Sequence, residues 1–378
     1  MIRVANVLID ARHLAGPQQR AIQVGERLLE QDVQTHIVIS SIESEAVQER
    51  LRDSNLPWTA VRLHRLTRER KHLLGWLFSF PVETFALTRL LRRIRPDIVH
   101  VNGVWQVKGV LAGRLAGAKV VLHLNDTVVY ALLKRLYLLV APLANGFIFA
   151  AERSRDMYTS IRRYPAKPQS LVPAPVNVER FKPDSQESST LLGSANGPCI
   201  LTIGHVNYVK GIKDFVKMAG AVLEVRPDAT FHVIGKLMDS QQQYIDQVRA
   251  LIAELPEGAV TLHGSSNDIP ALLKAADVYV CSSISEASPM AVWEAMAMKV
   301  PVVSTDVGDV PVYIKDGVNG FVVPVGDTGA MAEKVLHLLD RPALAEQFGE
   351  ASREVVLKHF SLQTVVQKHW EAYRALLG

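Results

Sequence analysis

Apolar, β-rich runs alternate with amphipathic helical stretches along the whole 378-residue chain, the pattern of a parallel α/β architecture. In the first half the predicted strands are 2–9, 35–40, 98–102, 120–124 and 147–150, with helical periodicity over 20–31 and 86–94. The pattern then restarts, with strands at 199–204, 230–234, 260–264, 278–282, 300–305 and 320–323 and helical stretches at 213–225, 244–253 and 291–298. Residues 181–198 are rich in Pro, Ser, Gly and Asn and show no periodicity, which reads as a connection. We therefore expect two doubly wound domains, 1–183 and 199–360, joined by a linker over 184–198. A final helical stretch, 361–378, has room to pack back across the linker onto the first domain. Open parallel sheets bind ligands beyond the carboxyl ends of their strands, so a site in a cleft between two facing sheets is expected.

Composition narrows the class. Hydrophobic residues make up 48% and charged residues 21%, the balance of a chain with ample core. The two cysteines, Cys199 and Cys281, sit in apolar runs and build neither a disulfide framework nor a metal cluster, which suits a reducing cytoplasm. Neither a leader signature nor an apolar run of about 18 residues is visible. The formal net charge of +4 hides an asymmetry: residues 1–183 hold 27 Lys and Arg against 15 Asp and Glu, and the remainder 15 against 23. A basic half can face phosphates or anionic lipid, or be a charged solvated surface. Within it, 62–95 mixes Arg62, Arg65, Arg68, Arg70 and Lys71 with Leu73, Leu74, Trp76, Leu77, Phe78 and Phe80. That mixture fits peripheral contact with the anionic inner face of a membrane, or a buried helix with a charged edge. Nucleic acid is not an expected partner, because the aromatics are not spaced as a stacking platform and no recognition motif occurs.

The chemistry concentrates in 278–324. A buried strand ends at Ser282 and Ser283, and a short loop carries Glu286. Ser288 and Pro289 then read as the N-cap and first residue of a helix. The free N–H groups of Met290 and Ala291 would form an anion site suited to a diphosphate. Glu294 follows one turn inside that helix, eight residues after Glu286. Either carboxylate alone is as well explained by a loop cap or a solvated helix residue; the pair in this frame points to a ligand. Upstream, LTIGHVNYVKG runs from a strand through a glycine turn to Lys210, a cation able to neutralise a leaving diphosphate. His263 and Gly264 end another strand, and His123 ends the strand in VVLHLND, with His100 and Asn102 at the end of the preceding one. Gly16, in LAGPQQRAIQVGERLLEQ, permits close backbone approach to a ligand.

Glu286, seven residues and Glu294, followed by Asp306-Val307-Gly308 and 316–321 (DGVNGF), resemble the retaining glycosyltransferases of family four. The resemblance implies the GT-B fold, two Rossmann-like domains facing across a cleft, with 1–183 on the acceptor side and 199–360 holding the nucleotide-sugar donor. It implies a nucleoside diphosphate sugar of UDP or GDP type as donor, with a glycan or lipid-linked hydroxyl as acceptor and polysaccharide biosynthesis as the setting. Glu286 would contact hydroxyls of the transferred sugar and Glu294 the ribose, with Lys210 on the diphosphate. His123 would lie near the sugar, His263-Gly264 beside the base, and Gly16 against the donor phosphate. His205 stands where the family has an Arg, Ala15 replaces a first glycine, Val312 replaces a Glu, and Pro175-Val176-Asn177 replaces Gly-Val-Asp. No Asp-x-Asp triplet occurs, so neither a metal nor another cofactor is expected. In this family the leaving phosphate is held to take the acceptor proton, so Glu286 is not read as a nucleophile. A weakly active sugar-nucleotide-binding partner subunit and an epimerase on the same two domains are the alternatives.

Overall fold

A computed structural model describes every residue apart from 13, 15, 67–69, 128–130, 185–190 and 193–196, and the side chains of 70–72 and 239. Ala15 and Arg68 thus lie outside the described residues, as do the side chains of Arg70 and Lys71. The chain divides into two compact units: Met1–Pro175 with Leu362–Gly378, and Val176–Ser361.

The first unit is built on seven parallel strands: β1 (Ile2–Leu8), β2 (Val33–Ser40), β3 (Trp58–Val61), β4 (Ile98–Asn102), β5 (Lys119–Leu124), β6 (Gly146–Phe149) and β7 (Gln169–Leu171). Their order is β3-β2-β1-β4-β5-β6-β7. β1 is paired on both sides, Val4 lying opposite Thr35 of β2 and Ile98 of β4. Its run of Val4, Ala5, Val7 and Leu8 is buried on both faces, as a central parallel strand requires. The helices are α1 (Gly16–Leu28), α2 (Glu45–Arg52), α3 (Arg70–Ile94), α4 (Val107–Leu115), α5 (Ala131–Val140) and α6 (Glu152–Ile161). α3 is one 25-residue helix rather than the 86–94 segment that periodicity suggests, and Pro81 sits inside it. Proline withholds one N–H there. The Thr84 hydroxyl donates to the Phe80 carbonyl at 2.6 Å, a side-chain bond close to the interruption.

The second unit repeats the winding with β8 (Cys199–Ile203), β9 (Thr230–Ile234), β10 (Val260–Gly264), β11 (Val278–Cys281), β12 (Val302–Thr305) and β13 (Phe321–Val323). Their order is β10-β9-β8-β11-β12-β13. Its helices are α7 (Ile212–Leu223), α8 (Gln242–Ala253), α9 (Ile269–Lys274), α10 (Met290–Ala297), α11 (Val310–Tyr313), α12 (Thr328–Leu339) and α13 (Pro342–His359). Residues 176–183 go with this unit. The Val176 amide donates to Phe360 at 2.7 Å, and Phe181 is buried among Val292, Trp293 and Phe360. The chain then returns as α14 (Leu362–Leu377) to the first unit. Val365, Val366, Ala372, Tyr373 and Leu376 pack on Val4, Ile98, Val121 and Ile148 of that sheet. Each such side chain contributes up to about 1.5–3 kcal/mol by leaving water. Among the described residues no helix is long and apolar enough to cross a membrane.

In each sheet the strand order reverses once, between β1 and β4 in the first unit and between β8 and β11 in the second. Loops leaving neighbouring strands at such a reversal splay apart and leave a crevice beyond their carboxyl ends.

Candidate active site

In the second unit the crevice is framed by the loops after β8 and β11. They are tied together by Ile284, whose amide donates to Val209 at 2.8 Å, and by the Ser282 hydroxyl, which donates to the Lys210 carbonyl at 3.1 Å. So close an approach requires glycine at 211. Its φ is +63°, and a Cβ there would lie 1.9 Å from the Ser282 carbonyl oxygen. Asn207 accepts the Lys210 amide at 3.0 Å and fixes the turn that presents the lysine. The Lys210 ammonium then donates to Glu286 Oε1 at 2.6 Å, and the Ser283 hydroxyl donates to the same oxygen at 3.0 Å. From β12, Thr305 donates to the Ser283 carbonyl at 2.6 Å. Gly308 presses on the next part of the loop, where a Cβ would lie 2.1 Å from the Ala287 carbonyl oxygen.

Electrostatics follow from this packing. Burial works against the Lys210 charge, but the Glu286 carboxylate outweighs it and holds the ammonium above its ordinary range. Glu294, half-buried on α10, is pushed by burial up to about 7 against the pull of Arg180 and Lys210. The site therefore holds the Lys210–Glu286 ion pair beside a second carboxyl, Glu294, pushed up to about 7.

The start of α10 differs from the Ser-cap expectation. Pro289 occupies the cap position with an extended ψ of 98°, and the helix begins at Met290. The Ser288 hydroxyl accepts the Trp293 indole N–H at 3.0 Å. The Pro289 carbonyl takes the amides of Val292 and Trp293, so the N–H groups of Met290 and Ala291 lie ahead of the first intrahelical bond. The positive end of the helix dipole thus begins one residue after the position read from sequence.

The other expected residues are distributed. His205 follows Gly204 at the end of β8 with an exposed ring. His263 lies on β10, on the far side of β9 from β8, where its Nε2 meets His232 Nδ1 at 2.9 Å. Burial, then the neighbouring His263, pushes His232 down to about 4. Gly264 turns the chain at φ +76°, and its carbonyl accepts the Gly235 amide at 2.7 Å. In the first unit, Gly16 is the first residue of α1. His123 exposes no surface. Its Nδ1 meets His100 Nε2 at 3.1 Å, and His100 Nδ1 meets the Tyr373 hydroxyl at 2.8 Å. The His369 ring lies 5.8 Å from that of His123, and Arg20 bridges Asn125 and Asn102 at 3.1 and 3.2 Å. Burial holds His100 and His123 well below the ordinary histidine range and takes His369 down to about 3, with Arg20 acting in the same sense. His123 and His100 therefore face the interior beneath α14, not an open strand end. Sequence reasoning missed Asn207, Ser283, Thr305 and His232. Only Asn207, three residues before Lys210 at a turn, carried a local signal.

Known proteins agree with this build. The family described as Glycosyltransferase Family 4 matches residues 15–180, and Glycosyl transferases group 1 matches residues 186–355. The second stretch contains Lys210, Glu286 and Glu294. EpsD of Bacillus subtilis, named as a glycosyltransferase, is 28% identical over 333 residues, covering 79% of this chain and 85% of its own. The UDP-Gal:alpha-D-GlcNAc-diphosphoundecaprenol alpha-1,3-galactosyltransferase of Escherichia coli is 25% identical over 308 residues, 76% of this chain and 78% of that one. Among solved structures, Anabaena Alr3699/HepE in complex with UDP and glucose superposes with a TM-score of 0.85 at 17% identity, over 99% of this chain and 100% of that one. Two parallel-sheet α/β units of this kind define the GT-B class. The chain belongs to the glycosyltransferases.

Proposed function

We propose that this glycosyltransferase moves a sugar from a UDP- or GDP-type donor to a hydroxyl of a glycan or lipid-linked acceptor, with retention and without a metal or cofactor. The observation that carries the reading is the Lys210–Glu286 pair beside the start of α10, at the strand reversal of the second unit. The diphosphate takes the Lys210 ammonium and the N–H groups of Met290 and Ala291, behind the Ser288-Pro289 turn. These are fixed charges and dipoles aimed where negative charge grows as the anomeric C–O bond breaks. The acceptor oxygen bonds to the same face of the anomeric carbon, and its proton passes to the departing phosphate. Glu286, steadied by Ser283, accepts hydrogen bonds from the sugar hydroxyls. Glu294, titrating near 7, can accept from or donate to the ribose diol.

His205 replaces a permanent cation with an exposed ring at the phosphates, while His263 and Gly264 flank the base. Gly16 offers its backbone to the donor phosphate. The UDP-sugar donor and diphosphoundecaprenol-linked acceptor in the E. coli relative's name support UDP and a lipid-linked acceptor here.

A lipid-linked acceptor also suits α3. Leu74, Leu77, Phe78, Val82 and Phe85 recur at helical spacing and are all exposed, Phe78 at 83%. Arg89, Arg92 and Arg93 are exposed at its C-terminal end, and Arg62 precedes it. An apolar stripe with basic ends on the basic half of the chain fits an anionic bilayer surface.

A thermal-shift panel of nucleoside diphosphates tests the donor site, since a ligand at 100 times its Kd stabilises by about 2.7 kcal/mol. One nucleotide class should raise Tm, and Lys210→Ala and Glu294→Ala should each abolish the rise. A panel without any shift sinks the reading. NMR of the product anomer tests retention, and turnover in EDTA tests metal independence.

A further inference from the structure

Lys108 of the first unit, without exposed surface, donates to Glu83 Oε2 at 2.5 Å, and Lys210 of the second donates to Glu286 at 2.6 Å. Each of these cations is matched to an acid. Arg180 is placed differently. It is exposed, it stands on the segment by which the chain enters the second unit, and its guanidinium donates to a backbone carbonyl, that of Asn267, at 2.6 Å.

The local sequence fixes where this side chain reaches. The Asn177 side chain accepts the amides of Glu179 and Arg180 at 3.2 and 3.1 Å, and its carbonyl accepts those of Arg180 and Phe181 at 3.0 and 2.9 Å, a tight turn of the kind asparagine favours. Phe181 is then buried among Leu272 and Leu273 of α9 and Val292 and Trp293 of α10. The Arg180 guanidinium lies 5.5 Å from the centroid of that ring. Its target is the loop between β10 and α9, which is itself built: Ser266 Oγ accepts the Asp268 amide at 3.1 Å, and Asp268 accepts the Ala271 amide at 3.4 Å to cap α9. On its other side Arg180 faces α10. The Glu294 carboxyl feels Arg180 more strongly than Lys210, the cation presented after β8, and Tyr279 of β11 faces the same carboxyl.

On the donor-site reading, the end of β10 flanks the base and Glu294 meets the ribose. Base and ribose carry no charge, so a cation at this place is not a counter-ion for the ligand. It acts on the protein groups to either side. A guanidinium has five N–H donors in a rigid fork, so one of them can hold a carbonyl while the rest of the charge faces a carboxyl. A carboxylate accepts from both hydroxyls of a diol, whereas burial favours the protonated form, and a nearby cation opposes that drift. We propose that Arg180 is a positioning residue of the donor site, holding the base-side loop through Asn267 and keeping Glu294 a hydrogen-bond acceptor for the ribose. The assignment rests on the donor-site reading. It gives the entry segment of the second unit a part in binding the nucleoside, through a residue that touches neither base nor ribose.

Carbon-13 NMR of the glutamate carboxyls in the full chain without ligand, with the Glu294 signal assigned by its loss in Glu294→Gln, tests one half of the assignment. Arg180→Gln should move the Glu294 midpoint upward, and Arg180→Lys should bring it back because lysine keeps the charge. Calorimetric titration with UDP and with GDP at pH 7 tests the other half. The nucleotide that binds the unsubstituted chain should bind Arg180→Gln about three- to fivefold more weakly, the scale of an exposed charge. Arg180 is exposed, so these variants should fold as the parent does. A midpoint unmoved by Arg180→Gln, a midpoint not restored by Arg180→Lys, or equal nucleotide affinity with and without Arg180 would each overturn the proposal. The two readings fail differently. If neither nucleotide binds the unsubstituted chain, the donor site falls and this assignment with it, whereas binding that Arg180→Gln leaves intact removes only the role of Arg180.

Discussion

The two units wind their strands alike, with the first strand central and the fourth beside it, yet furnish the resulting crevice in opposite ways. In the second unit the loops after β8 and β11 are pressed together by backbone. Gly211 and Gly308 each lie where a Cβ would come within about 2 Å of a carbonyl oxygen, and the charged pair Lys210–Glu286 stands on that frame. In the first unit side chains make the frame. Gln106 accepts the Ile9 amide at 3.2 Å and donates to the Asn102 carbonyl at 2.6 Å, bracing the ends of β1 and β4 across the reversal. The topology places a crevice at each reversal, and its furnishing differs: a charged pair over packed backbone in the second unit, and in the first a cavity of about 340 Å³ lined by residues such as Trp76, Trp105 and Lys108.

The largest effect should come from the charged frame. Removing one group that stabilises developing charge typically costs about 10²–10³-fold in kcat. Lys210→Ala should fall in that range in a transfer assay, with Tm little changed because the ammonium is partly exposed. Activity within threefold of the unsubstituted enzyme would mean that the second crevice is not where the leaving group is held.

The matching test in the first unit reads stability. Glu83→Leu strands the Lys108 ammonium in the interior, a change that costs about 3–5 kcal/mol. Lys108→Met in the same chain should recover most of the loss, because a buried pair is often replaceable by apolar groups of similar size. Urea denaturation of the single and double variants checks this. Equal losses would show that the two residues do not act as a pair.

The difference in frame also explains what could be read beforehand. Glu286 and Glu294 lie on one loop and the helix it enters, so their spacing alone brings them together. The wall of the other cavity comes from residues near 10, 64, 76 and 102–108, and no local spacing announces it. His123 lies one residue from the end of β5, and His100 sits in the middle of β4, whose last residue is Asn102. Whether a strand-end side chain meets solvent depends on what covers that face, however, and the cover is α14, whose Tyr373 follows His100 by 273 residues. Ser288 illustrates local chemistry overruled within one turn: a Ser-Pro start usually caps through the serine hydroxyl, but Trp293 is close enough to engage it.

Acidity should act in opposite senses on the buried histidines and on Glu294, and in the second unit His232, pushed down to about 4, works against Glu294 below about pH 6.5. The folded first unit keeps His100, His123 and His369 neutral, whereas the unfolded chain binds protons there below about pH 6.5. Its stability is therefore full above that pH and falls as the medium is acidified towards the folded value of His369, about 3. Glu294 has the reverse sign: its folded carboxyl, at about 7, holds a proton that the unfolded chain releases above the ordinary glutamate range. Its contribution is full below about pH 4.3 and declines as pH rises through 7. Hydrogen-exchange protection factors, corrected for intrinsic rates and read separately for each unit at pH 5, 6, 7 and 8, report both slopes. Glu294→Gln should change only the second, leaving there the slope that His232 sets. A Glu294→Gln chain with an unchanged slope would show that another group sets it.

The smallest change in stability should accompany the clearest remaining asymmetry. Exposed apolar side chains of the second unit, such as Val225, Val318 and Leu357, are scattered, whereas those of α3 form one stripe. Stripes of this kind mark interaction surfaces, and single exposed residues do not. Phe78 adds little to the fold at 83% exposure, so Phe78→Ser should leave unfolding free energy within about 0.5 kcal/mol. A stripe that meets a bilayer nevertheless loses its most protruding group. Flotation with vesicles containing an anionic lipid should therefore drop for Phe78→Ser and further for Phe78→Ser with Phe85→Ser, while neutral vesicles bind less throughout. Equal flotation of all forms would detach the stripe from the membrane. The cavity lined by Trp76 would remain untouched by that result, since Trp76 and Leu77 face different surroundings on the same helix.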